Sequence, residues 1–351
     1  MTPLEPAISR APVLAVTGGN HYDLLVRLPR LPRSNDRLAA QEAILAPGGM
    51  GGNVATTFAR LGGQARFAGS FTDDEDGAAL RCDMDAEGID IGFASSHPAN
   101  GHQRGFILVG ECGERAILGL PFQAAAPPRS TSRELQTTHT PPGSGWKATF
   151  LDFLREHPLP QELFRPPLDG FYCPGAFAPV LTAQLPPGLP LFIDIETGHL
   201  DAMSAPEIMA ILRRATIAFG NDENLQSLPG RLGCSSLPEL ASAATTTIVE
   251  TRGDAGCTIH VAGRSEIVRG FRVDAVDTTG AGDCFAGAFI FSILRGMALP
   301  DAARFGNAAA ALSTLSLGSR GRIPSIAAVE RLLATCFRNE MTIVPRSARH
   351  D

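Results

Sequence analysis

The chain has 351 residues, of which 44% are hydrophobic and 19% charged, and its formal net charge is -6. That length suits one large α/β domain with an appendage or two ordinary domains, and the composition excludes wholesale disorder. A mildly acidic chain is a poor polyanion binder, which argues against a nucleic-acid partner, and no apolar run reaches membrane-spanning length, which argues against a membrane one.

Residues 1–10 carry acid and proline without an apolar core and read as a tail rather than a signal peptide. Residues 12–17 read as a first buried strand. Gly48-Gly49-Met50-Gly51-Gly52-Asn53 then opens a helix over 53–61, which stops at Gly62-Gly63. Residues 65–69 form the next strand, and 76–87 a helix closed by Gly88. Later strands fall at 170–173, 190–195, 216–219, 246–250 and 257–261. Near-continuous apolar strands separated by helices predict an α/β fold with a doubly wound, mostly parallel sheet flanked by helices. Two segments, about 23–47 and 98–120, read as strands with no helix between them. The second turns through Gly110-Glu111-Cys112-Gly113-Glu114, a hairpin signal, so both are assigned to a small β-sheet lid. Residues 121–147, rich in Pro, Ser and Thr, read as a flexible surface insertion. The whole reads as a single domain over 11–345, with a second tail at 346–351. Seven scattered cysteines without a CxxC pair argue against a zinc site or a disulfide framework, and fit a reducing, cytoplasmic compartment.

The strongest chemical signal is Asp277-Thr278-Thr279-Gly280-Ala281-Gly282-Asp283, placed where a turn enters a helix over 284–294. The first N–H groups of a helix lack internal partners, and the macrodipole adds partial positive charge there. Glycines let the backbone approach a phosphate closely. The N–H groups of Ala281, Gly282 and Asp283 would hold charge on a transferring phosphoryl group, and the Asp283 carboxylate would accept a proton from an attacking hydroxyl. An ordinary turn capped by Asp283 is the alternative. The turn is not a GxxxxGK[ST] loop, and it lacks the third glycine of a dinucleotide fingerprint. In the second glycine motif, the amide of Asn53 would bind vicinal hydroxyls by donating and accepting together; a flexible loop with an Asn cap is the alternative.

Together the two motifs resemble the ribokinase-like, or phosphofructokinase-B, family of carbohydrate kinases, over about residues 13–324. The resemblance implies a doubly wound domain with a β lid and MgATP as phosphoryl donor. It makes Asp283 the catalytic base and Gly280, Ala281 and Gly282 the anion hole. Asp23, Gly49 and Asn53 match substrate-binding positions. Asn221, Thr251, Gly253, Gly256 and Asn307 match nucleotide-binding ones. Arg104 and Arg115, on the lid strands, read either as site residues or as solvated surface charges.

Two departures from the family pattern stand out. The family carries Asn-x-x-Glu near the metal-bound phosphates, whereas Asn221-Asp222-Glu223-Asn224 has Asn in the Glu position. Either Glu223 holds Mg2+ through water from a shifted turn, or the metal is held differently. Many relatives also bind a monovalent cation near Asp277, through backbone carbonyls around Ser313, Ser316 and Gly318. Arg322 falls where a small residue helps form that site, and a guanidinium there would replace the cation, giving weak or absent potassium activation.

The expected reaction moves the γ-phosphate of MgATP to a primary hydroxyl of a sugar-like small molecule: a free ketose, pentose or sugar acid. Asp194 and Glu196, at a strand end, read equally as hydroxyl binders or as solvated acids. Tyr22, beside Asp23, would cover a ring, which keeps a nucleoside kinase open. A catalytically impaired nucleotide- or sugar-binding regulator and a dinucleotide-dependent oxidoreductase are the other rivals; the second needs an N-terminal GxGxxG, which residues 13–23 do not supply. Edge pairing of lid strands would give a homodimer.

Overall fold

The computed structural model describes residues 10–97, 105–111, 113–119, 154–200 and 203–341. In chain order its strands begin with β1 (Val13–Val16), β2 (His21–Arg27), β3 (Glu42–Gly48), β4 (Gln64–Phe67) and β5 (Ser70–Thr72). They continue with β6 (Ser95–His97), β7 (Gly105–Val109), β8 (Arg115–Gly119), β9 (Gly170–Pro174) and β10 (Leu191–Asp194). The last are β11 (Ile217–Asn221), β12 (Thr247–Thr251), β13 (Gly256–Val261) and β14 (Arg264–Arg269). The longer helices are α1 (Met50–Arg60), α2 (Glu75–Ala86), α3 (Ala205–Arg214), α4 (Leu237–Ala244), α5 (Ala281–Leu294), α6 (Leu299–Ser313) and α7 (Ile326–Met341).

Eight strands form the main sheet in the order β14-β13-β12-β11-β10-β9-β1-β4, parallel from β12 to β4 and antiparallel at β13 and β14. Alternate side chains feed two cores, as the period of a strand requires. Leu14, Val16, Tyr172, Phe192, Phe219 and Val249 point into one core. Ala15, Phe171, Cys173, Ile193, Ala218 and Ile248 point into the other. The first core is filled by α5, buried on every side from Cys284 to Leu294 because its sequence is apolar all round. Its Phe289 meets Phe219 edge to face at 5.4 Å, and its Phe291 meets Phe58 of α1 at 5.8 Å.

The chain leaves β1 to one side to form β4 and later returns to its other side as β9, both pairings parallel. This reversal opens a crevice at the carboxyl ends of the strands, where ligands of doubly wound sheets bind. Over it stands a second sheet, β3-β2-β7-β8, with its own small core of Leu25, Ile107 and Val109.

Two elements differ from the sequence reading. Helix α1 starts at Met50, so Gly51, Gly52 and Asn53 lie inside its first turn; Gly49, at φ 88°, turns the chain and its carbonyl accepts from Asn53 N–H at 2.9 Å. Strand β14 escaped notice because its residues are polar and mostly exposed, as an edge strand tolerates. Its hairpin turns on Ala262 and Gly263, both at positive φ. The insertion at 121–147, residues 1–9 of the first tail, the whole tail at 346–351 and Arg104 lie outside the described residues.

Candidate active site

A cavity of about 430 Å³ opens at the carboxyl ends of the strands, between the main sheet and the lid. Gly19 follows β1 into it, Pro174 ends β9, Asp194 ends β10, Asn221 ends β11 and Thr251 ends β12. The lid contributes His21, Asp23, Gly105 and Arg115, and the first turn of α5 contributes Gly280, Gly282 and Asp283. Parallel strands bring their ends to one edge of a sheet, which is why residues 230 positions apart share this wall.

The turn before α5 is held by a buried carboxylate. Asp277 Oδ1 accepts from Thr279 N–H at 2.8 Å, and Oδ2 accepts from Gly318 N–H at 2.9 Å. Gly280 then caps α5 with φ 74°, a left-handed conformation, and a methyl group on it would run into Ser319. Ala281 N–H donates to Thr278 O at 3.2 Å. The Gly282 and Asp283 N–H groups are therefore the ones that the first turn of the helix offers to an anion. Thr279 Oγ1, enclosed in the same turn, has no hydrogen-bond partner among the described residues.

Asp283 is half-buried and opens on the cavity. Its Oδ2 accepts from Asn53 Nδ2 at 2.7 Å, and Asn53 Oδ1 accepts in turn from Arg320 Nε at 2.9 Å. The Asn53 amide thus has its oxygen engaged and one N–H committed, which leaves a single N–H for a ligand rather than the donor and acceptor expected from sequence. Withdrawal from water pushes the Asp283 carboxyl up to about 7; the Asn53 hydrogen bond opposes this, nearby Glu196 adds to it, and Arg115 and Arg320 oppose it. Asp194 is held well above the ordinary carboxylate range, chiefly by burial and then by the charges of Asp283 and Glu196.

At the opposite wall, Asp23 is buried in β2, accepts from Gly105 N–H at 2.9 Å and lies 3.2 Å from His21 Nε2. Arg115 reaches from the lid to the turn before α5, donating to Thr278 O at 2.9 Å and to its Oγ1 at 2.6 Å. The Thr278 hydroxyl donates back to Gly113 O at 3.0 Å.

Of the sequence-derived site residues, the cavity gathers Asp283, Gly280, Gly282, Asp23, Gly49, Asn53, Asn221 and Thr251. It also gathers Arg115, Asp194 and Glu196, but not Ala281, Gly253, Gly256, Asn307, Glu223 or Tyr22. Ala281 is absent from the wall and its N–H is taken. Gly253 and Gly256 shape the turn into β13 without reaching the cavity; of that turn only Thr251 lines it. Asn307 is buried in α6 and donates to the Val268 and Arg269 carbonyls at 3.1 and 3.2 Å, which ties α6 to β14, and it is not among the residues lining this cavity. Glu223 is exposed on the short helix Asp222–Leu225, whereas Asn224, one position on, lines the cavity. Asn221 caps that helix by accepting from Asn224 N–H at 2.7 Å, and the resulting turn points position 223 outward. Among the described residues no group of three or more His, Cys, Asp or Glu could hold a metal ion. Arg322 is exposed, so no guanidinium at that position stands in for a cation beside Asp277. Tyr22 turns away from the cavity, and its hydroxyl donates to Asp83 of α2 at 3.0 Å.

Arg320 was missed. It lies among glycines and serines in Gly318-Ser319-Arg320-Gly321, where an arginine reads as solvated, yet it is 8% exposed. The available signal was the four-glycine motif at 48–52: a methyl on Gly52 would collide with the Arg320 guanidinium.

Residues 15–135 and 197–326 match the family model described as pfkB family carbohydrate kinase. The chain is 25% identical to a ribokinase of Haemophilus influenzae, over 89% of this chain and 95% of that one. It is 28% identical to an ATP-dependent ribose-1-phosphate kinase of Halopiger xanaduensis, over 91% and 97%. Its fold is similar to that of a Burkholderia thailandensis nucleoside kinase solved with inosine, with a TM-score of 0.73 at 20% identity, covering 93% of this chain and 98% of that one.

Proposed function

The chain belongs to the pfkB family of carbohydrate kinases, enzymes that transfer phosphate from ATP, and on that premise we propose that it phosphorylates a primary hydroxyl of a neutral sugar, with Asp283 as general base. The observation that carries this reading is the Asp283 carboxylate at the cavity wall, 2.7 Å from Asn53 Nδ2 and in the first turn of a glycine-entered helix. A base with a pKa near neutrality combines a populated deprotonated form with enough proton affinity to assist the attacking alcohol.

The γ-phosphate of MgATP would lie against Gly280 and the N–H groups of Gly282 and Asp283, with the unpartnered Thr279 hydroxyl as a further donor. Magnesium would enter on the nucleotide phosphates and offset their charge. The nucleotide would run towards Asn221, Asn224 and Thr251, and the sugar would sit under the lid against Asp23, Gly49 and the remaining Asn53 N–H. Positioning and charge neutralisation supply most of the rate in phosphoryl transfer, and a closed lid keeps water from the phosphoryl group.

Four carboxyl groups line the cavity, Asp23, Asp194, Glu196 and Asp283, against the cation of Arg115 and the imidazole of His21. Carboxyl oxygens accept hydrogen bonds from hydroxyls, and those that are ionised repel a substrate carboxylate while the protonated Asp194 does not, so the balance favours a neutral polyol over a sugar acid. ATP consumption across pentoses, ketoses, sugar acids and nucleosides tests the reading, with Asp283→Asn as control. Turnover of a neutral sugar that Asp283→Asn abolishes is expected; turnover confined to nucleosides or sugar acids overturns the substrate class. A homodimer is proposed through the lid, where Leu45 and Leu118 are exposed and β3 and β8 each pair on one side only among the described residues. Light scattering at a single monomer mass would refute it.

A further inference from the structure

We propose that Arg320 is a positioning residue for the transfer: it holds the Asn53 amide in one orientation, so that an N–H always faces Asp283. Arg320 enters the interior from the loop between α6 and α7 and passes beneath the glycine motif, in space that Gly52 leaves by lacking a side chain. Its Nη2 donates to Gly48 O and to Asn20 Oδ1, each at 2.7 Å, and its Nε donates to Asn53 Oδ1 at 2.9 Å.

An amide can turn over at little cost unless its neighbours forbid it, and a guanidinium has donors only. Asn53 must therefore present its oxygen to Arg320, and its nitrogen then falls 2.7 Å from the Asp283 carboxylate. Ser319 cannot supply the same constraint. Its hydroxyl lies 3.0 Å from Asn53 Oδ1 and 3.1 Å from Pro47 O, and its single hydrogen serves one of them.

The burial of Arg320 supports the assignment. A guanidinium is costly to bury, and the groups it donates to are two neutral amide oxygens and a carbonyl rather than a carboxylate. An apolar side chain would fill this space at less cost in stability. The loop is tied to the catalytic turn as well, through Gly318 N–H on Asp277. Glycine motif, base and turn thus share one reference point.

The inference rests on Asp283 as the base, and its test has one arm that needs no acceptor. Carbon-13 NMR of the side-chain carboxyls follows the Asp283 resonance, identified by its loss in Asp283→Asn. The kcat–pH profile is measured with ATP and with D-ribose and D-fructose as acceptors. The titrating and charged groups around Asp283 are Asp194, Glu196, Tyr172, Arg115, Arg320 and the adjacent Cys284. Removing Arg320 takes away a cation and frees the amide to turn its oxygen toward the carboxylate. In Arg320→Met the Asp283 midpoint should rise by about one pH unit. At pH 7, kcat should fall roughly fivefold and recover towards pH 9, with KM for ATP unchanged. Arg320→Lys should restore part of both, and Arg322→Met, on the exposed neighbour, should match the wild type. An unmoved midpoint, or a kcat lowered equally at every pH, overturns the proposal and leaves Arg320 a structural role. Should Arg320→Met lose its cooperative thermal transition, Arg320→Lys carries the test: lysine has one nitrogen for three acceptors, and a smaller rise of the same sign is expected, whose absence overturns the proposal. Should Asp283→Asn turn over normally, the reading of the base falls, while the NMR midpoint still decides whether Arg320 orients the amide.

Discussion

At one end of the cavity, Asp283, Asn53, Ser319 and Arg320 meet through side-chain hydrogen bonds drawn from segments more than two hundred residues apart. At the other end, Asn221 and Thr251 stand on the last residues of adjacent parallel strands and are paired there by register. The end proposed for catalysis is therefore specified by particular functional groups, each with a partner that a substitution would orphan. The end proposed for the nucleotide is placed mainly by strand register, with the Asn221 side chain adding only a local cap to Asn224 N–H. Substitutions at the first end should be felt in kcat and its pH dependence, and substitutions at the second in nucleotide affinity or not at all.

The sharpest attempt to break this contrast is Asp283→Asn. It keeps the shape and removes the base, so kcat in the ATP-consumption assay should fall by roughly two to four orders of magnitude. The same variant carries a stability signature. Asp283 has a folded pKa of about 7, above the ordinary carboxylate value, so folding favours its protonated form. That contribution is present in acid and is lost as the pH rises through about 7. Asn, which never ionises, should raise the Tm relative to wild type above pH 7 and leave it nearly equal at pH 4; a constant Tm difference across that range would contradict the raised pKa.

Asn53→Ala comes next. It removes the N–H on Asp283 and orphans the Arg320 Nε, and kcat should fall about 10- to 100-fold, with a smaller change in KM for ATP. An effect confined to KM for the sugar would return Asn53 to a purely substrate-gripping role. Asn307→Ala should separate stability from binding. Losing its donation to Val268 and Arg269 should cost about 1 kcal/mol in denaturant unfolding while KM for ATP stays put. A rise in KM for ATP would restore Asn307 to the nucleotide site. The smallest effect is expected for Glu223→Gln: the side chain is exposed, and the magnesium dependence of turnover should stay within about twofold of wild type.

Much of the fold was legible because its signals are local. Apolar runs of strand length, stops at Gly62-Gly63 and Gly88, and the hairpin at 110–114 each depend on neighbouring residues, and β14 escaped only because edge strands need no apolar face. The glycine turn at 280–283 was legible for the same reason, since a left-handed φ and a close approach demand small residues at fixed spacing. Tyr22 and Glu223 could not be assigned in this way. Each sits beside a residue that lines the cavity and turns elsewhere, because alternate positions on a strand or around a short helix face different directions.

The order of its residues alone determined that this chain forms a doubly wound sheet with a glycine-entered helix and a carboxylate at its start, because helix, strand and turn preferences act over a few residues. Only the tertiary structure decided that a buried arginine from the last loop orients the amide facing that carboxylate, that the Ala281 N–H is already engaged, and that Asn224 rather than Glu223 looks into the cavity. Those outcomes depend on which groups long-range packing brings within 3 Å of one another, and no local pattern encodes that distance.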